Sequence, residues 1–150
     1  MDHQAAFPTH PLRDVRARYV RQAGCPSDFA DITVDFEPWE EGIAFEVHSE
    51  LRLRGRVGPD ELAAYSAAAA DGIRDELSAL DGPVAVAVVL RAMGVHDVDS
   101  HARAFRHAGR VAVRNALALL TGPPPRPRRR RPPPGTRLRA APGYRTIREE

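Results

Sequence analysis

Residues 84–90 read VAVAVVL, the longest apolar run of the chain. Both of its alternating faces are apolar, whereas a strand with one face in water alternates apolar and polar side chains. Its seven residues, four of them β-branched valines, favour a strand over a helix, and they are far fewer than the ~20 that a membrane-spanning helix needs. The run therefore predicts a buried central strand, from which the rest of the fold can be worked out.

A turn and a helix follow this strand. Arg91–His96 predicts a loop, and Asp99 or Ser100 is a suitable N-cap for a helix that runs to about Leu120. Apolar side chains at helical spacing supply the inner face of that helix: Ala104, Phe105, Ala108, Val111, Ala112 and Leu119.

Another amphipathic helix precedes the strand, over Pro59–Leu80. Pro59 suits the first turn of a helix, and Asp81-Gly82-Pro83 ends it. The small side chains of Ala67–Ala70 would let a sheet approach closely. One apolar stripe runs along this helix at spacings of three and four residues: Leu62, Tyr65, Ala69, Ile73, Leu77 and Leu80.

Three alternating segments come before both helices. VRARYVRQ, residues 15–22, predicts an edge strand, because an edge tolerates projecting Arg side chains. Residues 32–36 and 43–47 alternate on either side of PWEEG and predict an antiparallel hairpin with one buried face. For Trp39 in that turn we favour a place at the end of the core over an exposed contact role. The alternation continues beyond the hairpin, with three Arg side chains outward: Arg52, Arg54 and Arg56.

The element order is thus strand, strand, strand, helix, strand, helix. This order predicts an α+β fold in which two helices cover one face of a small sheet. We expect a folded domain over residues 1–121 and a disordered Pro/Arg-rich tail over residues 122–150, since the tail holds 8 of the 14 prolines.

Charge is divided unevenly between these two parts. Residues 1–121 hold 13 Arg and 18 acidic residues, a net charge of −5, whereas residues 122–150 hold nine Arg and two Glu, a net charge of +7. The cluster Arg128, Arg129, Arg130 and Arg131 is suited to RNA or another polyanion. A Pro-rich ligand for a peptide-recognition domain is the alternative for this tail.

Composition excludes several classes of function. All 22 basic residues are Arg, so the chain has neither the Lys of a P-loop nor a Schiff-base lysine. The single Cys25 excludes an internal disulfide and fits a reducing cytoplasm. His96, Asp97, Asp99 and His101 lack a recognised metal-ligand spacing, and no Ser or Cys is paired with a base. We therefore predict no cofactor, no metal and no enzymatic activity, and we see no membrane or targeting segment.

The segment VHDVDS, residues 95–100, resembles domain IV of elongation factor G and of the ribosomal-protection proteins, and so do Ala104-Phe105 and VAVRNAL at residues 111–117. Further pieces stand in the matching order: YVRQAG at residues 19–24, ITVDFEP at 32–38 and DGIR at 71–74. The resemblance covers roughly residues 15–120. It implies a two-layer α/β sandwich with a four-stranded sheet and a left-handed βαβ crossover, against the usual right-handed preference.

The chain departs from that family in two respects. The family's first loop continues with further glycines, whereas residues 25–28 read CPSD here. The chain is also too short for the GTPase domain of the full factors, so a free-standing relative is expected and GTP hydrolysis is not implied.

The resemblance also implies a function and a site. In the full-length factors one end of domain IV reaches the decoding region of the ribosome and contacts tRNA and mRNA. The matching loops here are Met93–Asp97 and Gly24–Asp31, and an imidazole can hydrogen-bond a phosphate or a 2′-hydroxyl. The residues implied at that end are Gly24, Ser27, Gly94, His96 and Asp97.

Two alternatives remain open from the sequence. HDVDS can be only a strand-to-helix turn, in which Asp99 and Ser100 act as caps. The function implied is a cytoplasmic, non-catalytic translation module that binds the ribosome or structured RNA. The alternative is a protein-interaction or regulatory domain on the same fold that no longer contacts RNA, which the acidic body favours; its tail would then recruit a protein partner.

Overall fold

A computed structural model of the protein describes residues 6–21 and 28–121. Among the predicted site residues, Gly24, Ser27 and Arg128–Arg131 lie outside these ranges, as does Cys25. The elements, in chain order, are β1 (Leu12–Arg21), β2 (Asp28–Pro38), β3 (Gly42–Arg54), α1 (Pro59–Ser78), β4 (Ala85–Gly94) and α2 (Ala102–Thr121).

The four strands form one mixed sheet in the order β1-β2-β4-β3. β4 pairs antiparallel with β2 and parallel with β3, so the prediction that it is a central strand is confirmed. The predicted hairpin between β2 and β3 is wrong, because β4 lies between them. Alternation fixes which face of a strand is buried but not which strand lies beside it.

Both helices cover one face of this sheet and enclose a single core. The predicted four-stranded α+β sandwich is therefore confirmed, while the hand of the β3–α1–β4 crossover stays a prediction. Side chains without any exposed area form the centre of the core: Ile32, Val34, Phe36, Ile73, Leu77, Val86, Val88, Leu90, Phe105 and Val113.

The two helices run in the same direction and pack closely. Tyr65 stacks on Phe105 with the ring centroids 4.6 Å apart, near the start of both helices. Midway along, a Cβ at Gly109 would lie 2.3 Å from the carbonyl oxygen of Ala69. The small residues of α1 therefore admit the second helix, and not the sheet as the sequence led us to expect.

Strand polarity creates two distinct ends. We call one end the tip: it holds the end of β1, the start of β2, the end of β3, residues 94–101 and the start of both helices. The opposite end is the base, with residues 38–42, residues 79–85 and the end of α2. Trp39 lies at the base and is 51% exposed, so its predicted core role is wrong. No helix among the described residues combines the length and the apolar character needed to cross a membrane.

Candidate nucleic-acid interface

His96 lies in the turn that joins β4 to α2, and the turn fixes its tautomer. Its Nδ1 accepts hydrogen bonds from the backbone N–H groups of Val98 (3.3 Å) and Asp99 (3.2 Å). The proton of the neutral ring must therefore be on Nε2. The side chain is 54% exposed, so the turn presents an imidazole N–H donor in a fixed orientation.

Ser100 joins this turn to the start of β2. Its Oγ accepts a hydrogen bond from the backbone N–H of His96 (2.8 Å) and donates one to the carbonyl oxygen of Phe29 (2.9 Å). The backbone N–H of Phe29 in turn donates to the carbonyl oxygen of Asp99 (2.9 Å). Ser100 is only 8% exposed, so these bonds form a small buried network.

The position of Ser100 corrects one prediction. α2 begins at Ala102, and the N–H groups of Ala104 and Phe105 donate to the carbonyl oxygen of His101. Neither Asp99 nor Ser100 is thus the N-cap. Because Phe29 closely follows residues 22–27, the network brings the His96 turn beside the flank of the other predicted loop. The predicted loop over Arg91–His96 is also wrong in part, since β4 continues through Gly94.

Gly94 lies beneath an ion pair that crosses the sheet. It is the last residue of β4, paired with Asp31 of β2 on one side and Arg54 of β3 on the other. A Cβ there would lie 3.2 Å from both Arg54 Nη2 and Asp31 Cβ. The glycine thus leaves room for Arg54 to reach across β4 to Asp31.

Asp31 is the centre of this cross-strand cluster, with its side chain only 3% exposed. Arg16 Nη2 lies 2.5 Å and Arg54 Nη2 2.8 Å from Asp31 Oδ2. Burial is the largest single influence and raises the pKa of Asp31, but the hydrogen bonds and charges of the two guanidinium groups together outweigh it and lower the pKa. The carboxylate is therefore held in its charged form while it ties three strands together.

Asp28 makes a similar connection on the helix side of the sheet. Arg103 Nη2 donates to Asp28 Oδ1 at 2.7 Å, and His101 Nε2 is 3.9 Å from the same oxygen. The hydrogen bond from Arg103 lowers the pKa of Asp28 despite burial of the carboxylate. The first residue of β2 is thereby fixed to the first turn of α2.

Cations without a carboxylate partner are found only at this end of the described residues. Nine of the 13 Arg side chains in residues 6–21 and 28–121 lie within 4.0 Å of a carboxylate oxygen. The other four lie on the tip half of the sheet or in the connection from β3 to α1: Arg18, Arg21, Arg52 and Arg56.

The open face of the sheet carries part of this positive surface. Strand alternation places Arg18 and Arg52 on the face that the helices leave uncovered. The guanidinium carbon of Arg18 lies 5.6 Å from the ring centroid of Phe29, and this ring is 6.0 Å from that of His96. The positive ends of both helix dipoles also point to the tip. Exposed acids are present as well, at Asp60 and Asp97.

The sequence indicated the His96 turn but missed the two contacts that shape it. Arg18 was visible only as an outward-facing residue of an edge strand, and no signal joined it to Phe29. Ser100 was visible as a cap candidate. Its actual partners lie about 70 residues away in the chain and become neighbours only when β2 pairs with β4. Within the described ranges, no group of three His, Cys, Asp or Glu side chains could hold a metal ion.

Comparison with known proteins relates this geometry to a family. The family model described as elongation factor G, domain IV matches residues 8–119. Two proteins named elongation factor G, from the BAV1 and CBDB1 strains of Dehalococcoides mccartyi, are each 34% identical over 107 residues, covering 69% of this chain and 15% of their own length. A crystal structure of a Thermus thermophilus protein shares the fold, with a TM-score of 0.55, 23% identity and coverage of 74% of this chain and 17% of that protein.

The chain thus spans about a sixth of the length of these relatives. The matched residues include every strand and nearly all of both helices. They also include the His96 turn and its partner at the start of β2. By its sequence over residues 8–119, this chain belongs to the elongation factor G domain IV family.

Proposed function

We propose that this protein is a non-catalytic, cytoplasmic translation module whose tip binds the ribosome or structured RNA. The observation that carries the proposal is the distribution of free cations. All described Arg side chains that lack a carboxylate partner lie at the end that presents His96.

These groups are chemically suited to a phosphate backbone. Each guanidinium can donate two parallel hydrogen bonds to a phosphate, and each contact releases condensed counterions. The Nε2–H of His96 is a further donor for a phosphate or a 2′-hydroxyl. The buried Asp28 and Asp31 hold the strands in place, so the exposed donors are positioned before the RNA arrives.

The proposal assigns contact roles to the residues that the family resemblance implied. His96 and Asp97 form the exposed turn, Gly94 supports it from below, and Gly24 and Ser27 belong to the neighbouring loop. The tail residues Arg128–Arg131 would add a diffuse electrostatic attraction to the same RNA, without a fixed contact geometry.

Co-sedimentation with purified ribosomes over a salt series tests this proposal. Exchange of the four unpaired Arg side chains of the tip for Gln should weaken binding at least about tenfold at low salt and reduce the dependence of log K on log salt by up to about four contacts. The matched control removes charge at the other end, with Glu40→Gln and Glu41→Gln. Equal affinity and equal salt slope for the tip variant and the wild type would refute the tip as the binding surface.

One observation favours a second candidate function. The body carries a net charge of −5, which is unusual for an RNA-binding domain. The chain would then be a protein-interaction domain that keeps the fold and has lost RNA contact. Unaltered ribosome binding after exchange of both the tip and the tail Arg residues would favour this candidate.

A further inference from the structure

The base exposes an aromatic side chain with uncompensated negative charge around it. Trp39 is 51% exposed, and its backbone N–H donates to the carbonyl oxygen of Ala85 at 3.0 Å, which fixes the residue at the end of β2. Glu40 and Glu41 follow directly and are exposed, and Asp81 is exposed in the connection that leads to Ala85. None of these three carboxylates pairs with a basic side chain in the described part of the chain.

A helix end adds to this negative potential. α1 ends at Ser78, three residues before Asp81, and its last turn holds no basic residue. The C-terminal end of a helix carries a partial negative charge. We define the base surface as Trp39, Glu40, Glu41 and Asp81. It is an aromatic side chain bordered by acids, which is the chemistry that binds Arg- and Pro-rich segments.

We propose that the occupant of the base surface is this chain's own segment 122–131, which reads GPPPRPRRRR. It holds four Pro and five Arg. Indole rings pack against proline, and guanidinium groups both stack on aromatic rings and pair with carboxylates. The opposite end of the molecule would repel the segment, because the unpaired cations are there.

The geometry of the chain favours docking within one molecule. α2 begins beside Asp28 at the tip and ends with Thr121 at the base, so residue 122 leaves the helix at the end where Trp39 lies. A Pro-rich stretch extends by about 3.1 Å per residue, so ten residues reach about 30 Å. A 20-residue helix has the same length, and the segment can therefore reach every part of the base.

Docking has a consequence for the whole protein. Arg side chains held by the base acids are not available to a polyanion, so RNA and the base surface compete for the same segment. The inference does not depend on RNA binding by the tip, and its test contains no nucleic acid. Failure of one proposal is therefore distinguishable from failure of the other.

Trp39 is the only tryptophan of the chain and reports on its own surface. The measurement is acrylamide quenching of Trp39 fluorescence in the full chain and in a variant with Arg128, Arg129, Arg130 and Arg131 exchanged for Gln. In low salt we expect quenching about twofold stronger in the variant, and we expect the difference to disappear near 0.5 M NaCl because salt screens the charges. The matched control is the tip variant with four Arg→Gln exchanges, which removes the same charge and should quench as the wild type does.

Charge exchange tests for direct contact. Glu40→Arg with Glu41→Arg should abolish the protection of Trp39, and Arg129→Glu with Arg130→Glu added to the same chain should restore it. Equal quenching of the wild type and the tail variant in low salt would overturn the proposal. Protection that increases with protein concentration would overturn it too, because the occupant would then be the tail of a second copy.

Discussion

The tip buries carboxylates and exposes guanidinium groups, whereas the base exposes carboxylates that no described Arg neutralises. At the tip, Asp28 and Asp31 are almost fully covered, and their Arg partners fix strand to strand and strand to helix. At the base, Glu40 and Glu41 extend into water and connect nothing. The acidic net charge of the body thus hides two surfaces of opposite character, one at each end.

Two glycines give the sharpest test of how the ends differ in rigidity. Gly55 at the tip has φ = +96°, and a Cβ there would lie 2.1 Å from the carbonyl oxygen of Val95. Gly42 at the base has φ = +74°, and a Cβ there would meet nothing within 4 Å. Both positions disfavour other residues, but only the tip is also crowded.

Gly55→Ala should therefore lower the free energy of unfolding by about 3 kcal/mol, from backbone strain and overpacking together. Gly42→Ala should lower it by about 1 kcal/mol, from the left-handed backbone alone. Urea denaturation of both variants measures the difference. Equal losses would contradict the view that the backbone of the tip is tightly packed and that of the base is not.

The glycine pair also shows what the sequence could and could not predict. The elements, the buried strand β4 and the two-helix layer follow from periodicity, which reports the exposure of single side chains. The neighbour of each strand depends on contacts distant in sequence, so β2 and β3 looked like a hairpin until β4 was placed between them. The position of Gly55 against Val95 depends on the same β3–β4 pairing.

For the candidate site, resemblance to the family indicated the His96 turn, because its residues are consecutive. The clusters that support the turn involve residues from separate elements, such as Asp31 with Arg54, and no local pattern marks them. The exposure of Trp39 was missed for a related reason. An aromatic residue in a turn is buried or exposed according to what packs over it, and local sequence does not record that.

Asp31→Asn should have the next largest effect, since it removes the charge that Arg16 and Arg54 share. Near neutral pH we expect a loss of about 2 kcal/mol, as for hydrogen bonds to a charged group. The pKa of Asp31 is lower in the folded chain than in the unfolded one. Its contribution to stability is therefore complete above its ordinary value near 4 and is lost as the pH falls through the lower folded value.

The unfolding free energies of the wild type and of Asp31→Asn should consequently converge as the pH is lowered below about 4. Glu41→Gln removes an exposed acid at the base and should change stability by less than about 0.5 kcal/mol at neutral pH. Denaturation curves at a series of pH values measure both. Parallel curves for the wild type and Asp31→Asn would show that the cluster at the tip is not maintained by charge.

The smallest effect on stability is expected at His96, and it separates the structure of the tip from its function. His96→Ala removes the acceptor of two backbone N–H groups, but the ring is half exposed and water can replace it. The loss should be at most about 1 kcal/mol. In His96→Asn the side-chain oxygen can accept from the same N–H groups, so this variant should melt within about 0.5 kcal/mol of the wild type. Both variants lack the Nε2–H donor, and both should bind ribosomes more weakly if the tip makes the contact. If His96→Asn binds as the wild type does while His96→Ala does not, the imidazole serves the turn alone, and the Arg side chains around it would carry the binding.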